Sequence, residues 1–305
     1  MKVFYDEAYN IDVGIMNFLH PFDVRKFGKV AGALKVVDGA SVESPCGLVP
    51  DGDIDAFVDP LLRLLIRKKR YIFRALEIPY LPIIPLSLID KRVLLPMRWG
   101  VAGTIEAAKA AIRGDGCWNL SGGYHHASRA SAEGFCIYND IGIATDVLVR
   151  DGLLADDARI LVVDVDAHHG NGNARVFMES NNVSILDIYN RCIYPSSDYT
   201  RGRVNISIPL DAGTGGVVYL EKLEAGLDKL DGGYDLAFVV AGTDVLAADP
   251  LGGLGLSIED CVKRDVLVYE KLRSISTPMV FLGGGGYSRD SASAMLGSLK
   301  ALGRA

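Results

Sequence analysis

The chain has 305 residues, 49% of them apolar and 23% charged, which is the makeup of a globular protein long enough to bury a core without disulfides or a structural metal. Its 32 basic residues against 38 acidic ones leave a net charge of −6 and exclude a generally basic nucleic-acid binder. Five cysteines without a C-x-x-C pair, an opening MKVFYDEAYN with no apolar h-region and no long apolar run predict reduced thiols, no secretory leader and no membrane span, hence a cytoplasmic protein.

The first third reads as irregular. A short helix is predicted over 23–37, opened by Pro21 and Asp23. Over 53–75, Leu61, Leu62, Leu65 and Ile66 recur at helical spacing, and the basic run Arg67, Lys68, Lys69, Arg70 reads as the solvated face of that helix, with an anion site as the alternative. Four prolines, Pro79, Pro82, Pro85 and Pro96, predict an extended loop over 79–96. From residue 100 the pattern alternates. Apolar runs at 159–163, 183–188, 236–240 and 278–282 read as strands, with a shorter one in CWNL, and helical patterns lie near 101–113, 138–150, 216–230, 257–273 and 289–302. Continuous apolar strands separated by helices predict an α/β fold of one domain over 1–305, a mostly parallel sheet covered by helices on both faces. Such sheets bind ligands beyond the carboxyl ends of their strands.

Polar residues fall at those ends. CWNL runs into SGGYHH, RILVV into DVDAHHGNG, LAFVV into AGTDVLAADP and PMVFL into GGGGYSRD. Only five histidines are present, and four of them form two HH pairs. On an extending strand Asp164, Asp166 and His168 project to one side, so Asp166 and His168 can grip one metal ion and Asp244 can supply a third ligand. Three O/N ligands with an open position describe a catalytic site. The bland alternative makes Asp164 and Asp166 helix caps and His168 a packed core residue. His125 and His126 remain for acid–base work. Tyr287, after four glycines, is placed to donate to a developing oxyanion, unless GGGGY is only a tight turn.

Together, GGYHHA, EGFCIYNDIGIA, DVDAHHGNG, AGTDVLAADPLGG and GGGGY resemble the histone deacetylase family of the arginase–deacetylase fold. YNIDVGIMNFLHPFD, DIYNRCIYP and VKRDVLVYEKL are similar to its class IV branch. The resemblance implies one zinc ion per chain on Asp166, His168 and Asp244, with His125 and His126 as the acid–base pair. It implies that Asp164 polarises His125 and that Tyr287 is the oxyanion donor. Gly134, Phe135 and Tyr194 would line an acyl-lysine tunnel with Leu251 at its rim, and a structural potassium ion would sit near Asp164. The chain departs from many relatives at Asn171, which stands where the second imidazole has a carboxylate partner. The implied activity is zinc-dependent removal of acetyl or longer fatty-acyl groups from lysine side chains in proteins or peptides.

Three alternatives share the fold. An acetylpolyamine amidohydrolase fits the acidic balance. A dinuclear manganese hydrolase needs more bridging carboxylates than can be placed here. A non-catalytic acyl-lysine reader needs a missing ligand, yet every matched position except Asn171 is intact. Carboxylate-rich ligands admit iron(II) as well as zinc. For acyl length, the glycines at 122–123 and 283–286 predict an apolar pocket beyond the metal that prefers long chains, unless Trp118, Tyr124 and Cys136 fill it. The sequence carries no oligomeric state.

Overall fold

The computed structural model describes residues 1–11, 25–34, 41–114 and 116–303. Two short strands, Lys2–Phe4 (β1) and Ser41–Glu43 (β2), flank the helix Lys26–Leu34 (α1). Three short helices follow, Asp51–Phe57 (α2), Pro60–Leu65 (α3) and Lys69–Ala75 (α4). Leu86–Ile89 (α5) continues through a π turn at Asp90–Leu94 into Leu95–Ile112 (α6). Then come Cys117–Asn119 (β3), Asp140–Arg150 (α7), Ile160–Asp164 (β4), Asn171–Val176 (α8), Val183–Asn190 (β5), Asp198–Arg201 (α9) and Ile206–Leu210 (β6). Gly216–Leu227 (α10), Leu236–Val240 (β7), Ile258–Ser274 (α11), Met279–Leu282 (β8) and Ser291–Leu302 (α12) complete the chain.

The strands form one sheet in the order β2-β1-β3-β8-β7-β4-β5-β6, and every pairing is parallel. Pleating sends alternate side chains to opposite faces. Ile160, Val162, Phe238 and Val240 join the core under α2, α6 and α7, whereas Leu161, Val163, Ala237 and Val239 join the core under α1, α10, α11 and α12. Both faces are therefore covered, which is why these strands read as unbroken apolar runs.

Four sequence expectations need correction. The irregular first third contains β1 and β2, which extend the sheet beside β3; runs of three residues are too short to show a period. The helix over 53–75 is three helices, because Asp59 accepts from Leu61 N at 2.7 Å and Pro60 opens α3. The loop over 79–96 turns helical from Leu86, with Pro85 at the start of α5, where its missing N–H costs nothing, and the π turn accommodating Pro96. The basic run is partly tied down: Lys69 Nζ donates to Pro82 O at 2.6 Å and Ile84 O at 3.1 Å, and Arg70 lies 4.8 Å from the Tyr80 ring centroid. The helix expected over 23–37 is α1, while Pro21, Asp23 and most of YNIDVGIMNFLHPFD lie outside the described residues. β6 escaped the sequence reading: it is an edge strand interrupted by Pro209.

Candidate active site at the strand ends

β3, β8, β7 and β4 are adjacent, and each carries one of the polar motifs at its carboxyl end. β4 stops at Asp164, so Asp166 and His168 lie in turns beyond the strand rather than on its pleat. Asp164 Oδ1 accepts from Asp166 N at 3.3 Å, and Asp166 Oδ1 accepts from His168 N at 3.0 Å. Asp244, beyond β7, accepts from Ala167 N at 2.9 Å and closes the cluster. One ligand atom each from Asp166, His168 and Asp244 lies within 4.8 Å of the others. The capping alternative fails, because α8 begins at Gly170 without any side-chain cap.

Both carboxylates are wholly buried, and buried carboxylates need a cationic partner. Burial opposes charge on His168, yet its contacts with Asp166 and Asp244 hold the imidazole up to about 10. Burial and the Asp166 charge push the Asp244 carboxyl up to about 7. The O, N, O donor set suits a divalent ion. Gly285 forms its lid: a Cβ there would lie 2.8 Å from Asp166 Oδ2 and from Asp244 Oδ2, and its N–H donates to Asp166 Oδ2 at 2.8 Å. The residues present therefore fit a metal ion.

The two histidines are placed by SGGYHH, which Asp140 anchors by accepting from Gly123 N at 2.9 Å and Tyr124 N at 2.8 Å. His125 Nδ1 is 2.8 Å from Asp164 Oδ2, and His126 Nδ1 is 2.7 Å from Asn171 Oδ1, the two partners expected from sequence. Burial opposes charge on His125, but Asp164 and Asp166 override it and raise the imidazole to about 9. Burial, helped by His125 and His168, pushes His126 well below its ordinary value. Identical side chains thus acquire opposite tendencies.

Tyr287 and Phe135 meet with ring centroids 5.7 Å apart, and Tyr194 stands edge-on to His126 at 5.2 Å. Gly134 packs against the His126 ring. The histidines, Phe135 and Tyr287 also line a cavity of about 110 Å³, whose wall includes Phe27, Leu76, Ile78, Val93 and Met97. Tyr124 and Cys136 form part of its wall, while Trp118 stacks on Phe281 at 5.0 Å and does not line it. Tyr194 and Leu251 lie outside that wall.

Residues 86–301 match the model of the histone deacetylase domain. Histone deacetylase 2 of Arabidopsis thaliana is 32% identical over 320 residues, covering 100% of this chain and 79% of its own. The chain belongs to the histone deacetylase family. Acetoin utilization protein AcuC of Staphylococcus aureus (strain COL) is 30% identical over 203 residues, 62% of this chain and 51% of that protein. The crystal structure of acetylpolyamine aminohydrolase from Burkholderia pseudomallei shares the fold, with a TM-score of 0.76 at 19% identity over 99% of this chain and 98% of that one. The eight-stranded parallel sheet is accordingly the arginase–deacetylase fold, and the protein is a deacetylase-type hydrolase.

This histone deacetylase family member also uses residues that sequence reading passed over. Asp249 links the loop of Leu251 to that of Tyr287: Oδ1 accepts from Leu251 N at 3.0 Å and Oδ2 from Tyr287 N at 2.7 Å. Lys26, wholly buried on α1, donates to the carbonyls of Gly284 at 3.2 Å and Gly285 at 3.0 Å. Arg264, wholly buried on α11 and paired with Asp265, donates to Val165 O at 3.0 Å and Gly242 O at 2.5 Å, bracing the turns that carry Asp166 and Asp244. His169 is a core residue between Asp187 (2.6 Å) and Thr200 (2.9 Å). The backbone groups that Lys26 and Arg264 brace, and the Tyr287 N–H that Asp249 holds, are distant in sequence, so the motifs gave no signal for these contacts.

Proposed function

We propose that this protein is a zinc-dependent hydrolase that removes acyl groups from lysine side chains. The observation that carries the reading is the Asp166–His168–Asp244 cluster beside two histidines with unlike partners. Asp166, His168 and Asp244 would hold the zinc, which when bound supplies Lewis acidity toward the amide carbonyl and the attacking water. His126, whose partner is a neutral amide, takes the water's proton at Nε2. His125, held by the Asp164 carboxylate, supplies positive charge while the leaving amine is protonated by an imidazole. The Tyr287 hydroxyl donates to the oxyanion. Gly134, Phe135 and Tyr194 form the tunnel, and Leu251 forms its rim on the loop that Asp249 fastens to Tyr287.

The whole span 1–305 is read as one catalytic domain, since β1 and β2 complete the sheet whose other strands lie within 86–301. A structural potassium ion is read beside Asp164 and its register neighbour Asp187, whose buried Oδ1 has no hydrogen-bond partner. Among the described residues no helix is long and apolar enough to cross a membrane; the cytoplasmic reading rests on five cysteines without a disulfide framework.

A second reading, hydrolysis of an acetylpolyamine, is favoured by Glu133, whose Oε2 accepts from the Tyr194 hydroxyl at 3.0 Å and so puts a carboxylate beside the proposed tunnel wall where a cation would pass. Purified protein assayed on acetyl-lysine and fatty-acyl-lysine peptides and on acetylputrescine, with and without chelator, tests both. Chelator-sensitive release of lysine is expected; turnover confined to acetylputrescine supports the second reading, and activity indifferent to chelator rejects both.

A further inference from the structure

Behind His126 runs a chain of polar contacts. Asn171 presents Oδ1 to His126 Nδ1 at 2.7 Å and donates from Nδ2 to Glu133 Oε1 at 3.1 Å. The Arg175 guanidinium donates to the same Glu133 oxygen, and the Tyr194 hydroxyl donates to Oε2 at 3.0 Å. Glu133 opens a turn closed by its bridge to Cys136, with Gly134 at φ +55° and Phe135 at φ +64°. A Cβ on Gly134 would lie 2.3 Å from the His126 ring, so the segment that carries Glu133 also packs against the imidazole.

The chemistry of these groups leaves one arrangement. A carboxamide has two nearly isosteric ends, one accepting and one donating, and by itself suits either imidazole tautomer. A carboxylate oxygen that takes a hydrogen bond from the Arg175 guanidinium, as Glu133 Oε1 does, faces Asn171 as an acceptor. Asn171 must therefore turn its NH2 to Glu133 and its carbonyl to His126. A carbonyl also only accepts, so the imidazole proton must sit on Nδ1, which leaves a lone pair on Nε2.

We propose that Glu133 is a positioning residue that sets the His126 tautomer through Asn171 and so makes Nε2 available as a base. A carboxylate beside the imidazole would impose this tautomer directly; the amide needs the acceptor behind it. Tyr194 uses the other Glu133 oxygen, so the tunnel wall and the histidine share one anchor. The effect on rate rests on the reading of His126 as base, whereas the tautomer does not.

The full chain, labelled with 15N-histidine and loaded with zinc, is read by long-range 1H–15N spectroscopy together with Glu133→Gln and Glu133→Ala. Native His126 shows a single Nδ1–H tautomer. In Glu133→Ala Asn171 is released and His126 shifts toward Nε2–H, with kcat lower by about 10- to 100-fold, the usual cost of losing such support, and KM little changed, whereas the carboxamide oxygen of Glu133→Gln still accepts from Arg175 and Asn171 and keeps the native ring. Tyr194→Phe keeps the Asn171–Glu133 contact and the native His126 spectrum. An unchanged Nδ1–H ring in Glu133→Ala overturns the proposal. So does a mixed or Nε2–H ring in the native protein, which decides the matter even if the variants fail to fold. Absence of acyl-lysine hydrolysis by the native protein counts against the proposed reaction and leaves the tautomer result standing.

Discussion

His125 and His126 are neighbours of one chemical type, and their partners make them unlike: a carboxylate 2.8 Å from the first and an amide 2.7 Å from the second. Both partners lie in DVDAHHGNG, and the family resemblance that this motif helps to carry had implied them. At this scale Tyr287→Phe is expected to lower kcat by about 10²–10³-fold, the cost of one oxyanion donor, with metal content unchanged by elemental analysis. Normal turnover in that variant would reject the oxyanion role. Gly285→Ala tests the lid. Its new Cβ would stand 2.8 Å from carboxylate oxygens of both Asp166 and Asp244, so weaker zinc binding is expected by competition with a metallochromic chelator. A native zinc affinity in the alanine variant would show that the loop retreats without cost.

At the scale of elements, α11 acts as a brace as well as a cover. Arg264 reaches carbonyls at Val165 and Gly242, just past β4 and β7, while paired with Asp265. Replacing one partner of a buried pair strands the other, at about 3–5 kcal/mol. Arg264→Leu is therefore expected to lose about that much stability in urea titration, and Arg264→Leu with Asp265→Leu to recover part of it. Equal stability for the single and double variants would mean that the carbonyl contacts, not the stranded carboxylate, carry the loss. VKRDVLVYEKL showed a helix here, yet nothing in its periodicity said that Arg264 points inward. The proline-rich stretch shows the same limit. Four prolines argued for a loop, but Pro85 opens a helix, where N–H groups are unused in any case, and Pro96 follows directly on a π turn, whose altered hydrogen-bond spacing accommodates it.

Across the whole molecule, the Asp166–His168–Asp244 cluster joins two turns, one beyond β4 and one beyond β7. An ion bound there stabilises only the folded state, by about 2.7 kcal/mol at one hundred times its dissociation constant. Adding zinc to chelated protein should raise the melting temperature, and Asp244→Ala should abolish the rise. The cavity of about 110 Å³ that the histidines help to line is walled largely by apolar side chains, and Trp118 is not part of its wall. Each methylene buried there contributes about 0.8 kcal/mol, so longer fatty-acyl groups should be hydrolysed with higher kcat/KM than acetyl in matched lysine peptides. Acetyl-lysine turned over at least as efficiently as myristoyl-lysine would identify a plain deacetylase.

The fold class, the four motif-bearing strands and the gathering of Asp166, His168, Asp244, His125, His126 and Tyr287 beyond the strand ends were legible in the sequence. Fully buried strands are continuous apolar runs, and a parallel sheet brings their carboxyl ends together, so order along the chain was enough to place those motifs on one edge. The tertiary structure alone decided that Glu133 stands behind Asn171, how Arg264 and Lys26 hold the turns, and whether the cavity is open. Those depend on contacts between residues far apart in sequence, such as Lys26 with Gly285 or Arg264 with Val165. Periodicity reports which face of an element is buried; it does not report which distant side chain or carbonyl that face will meet.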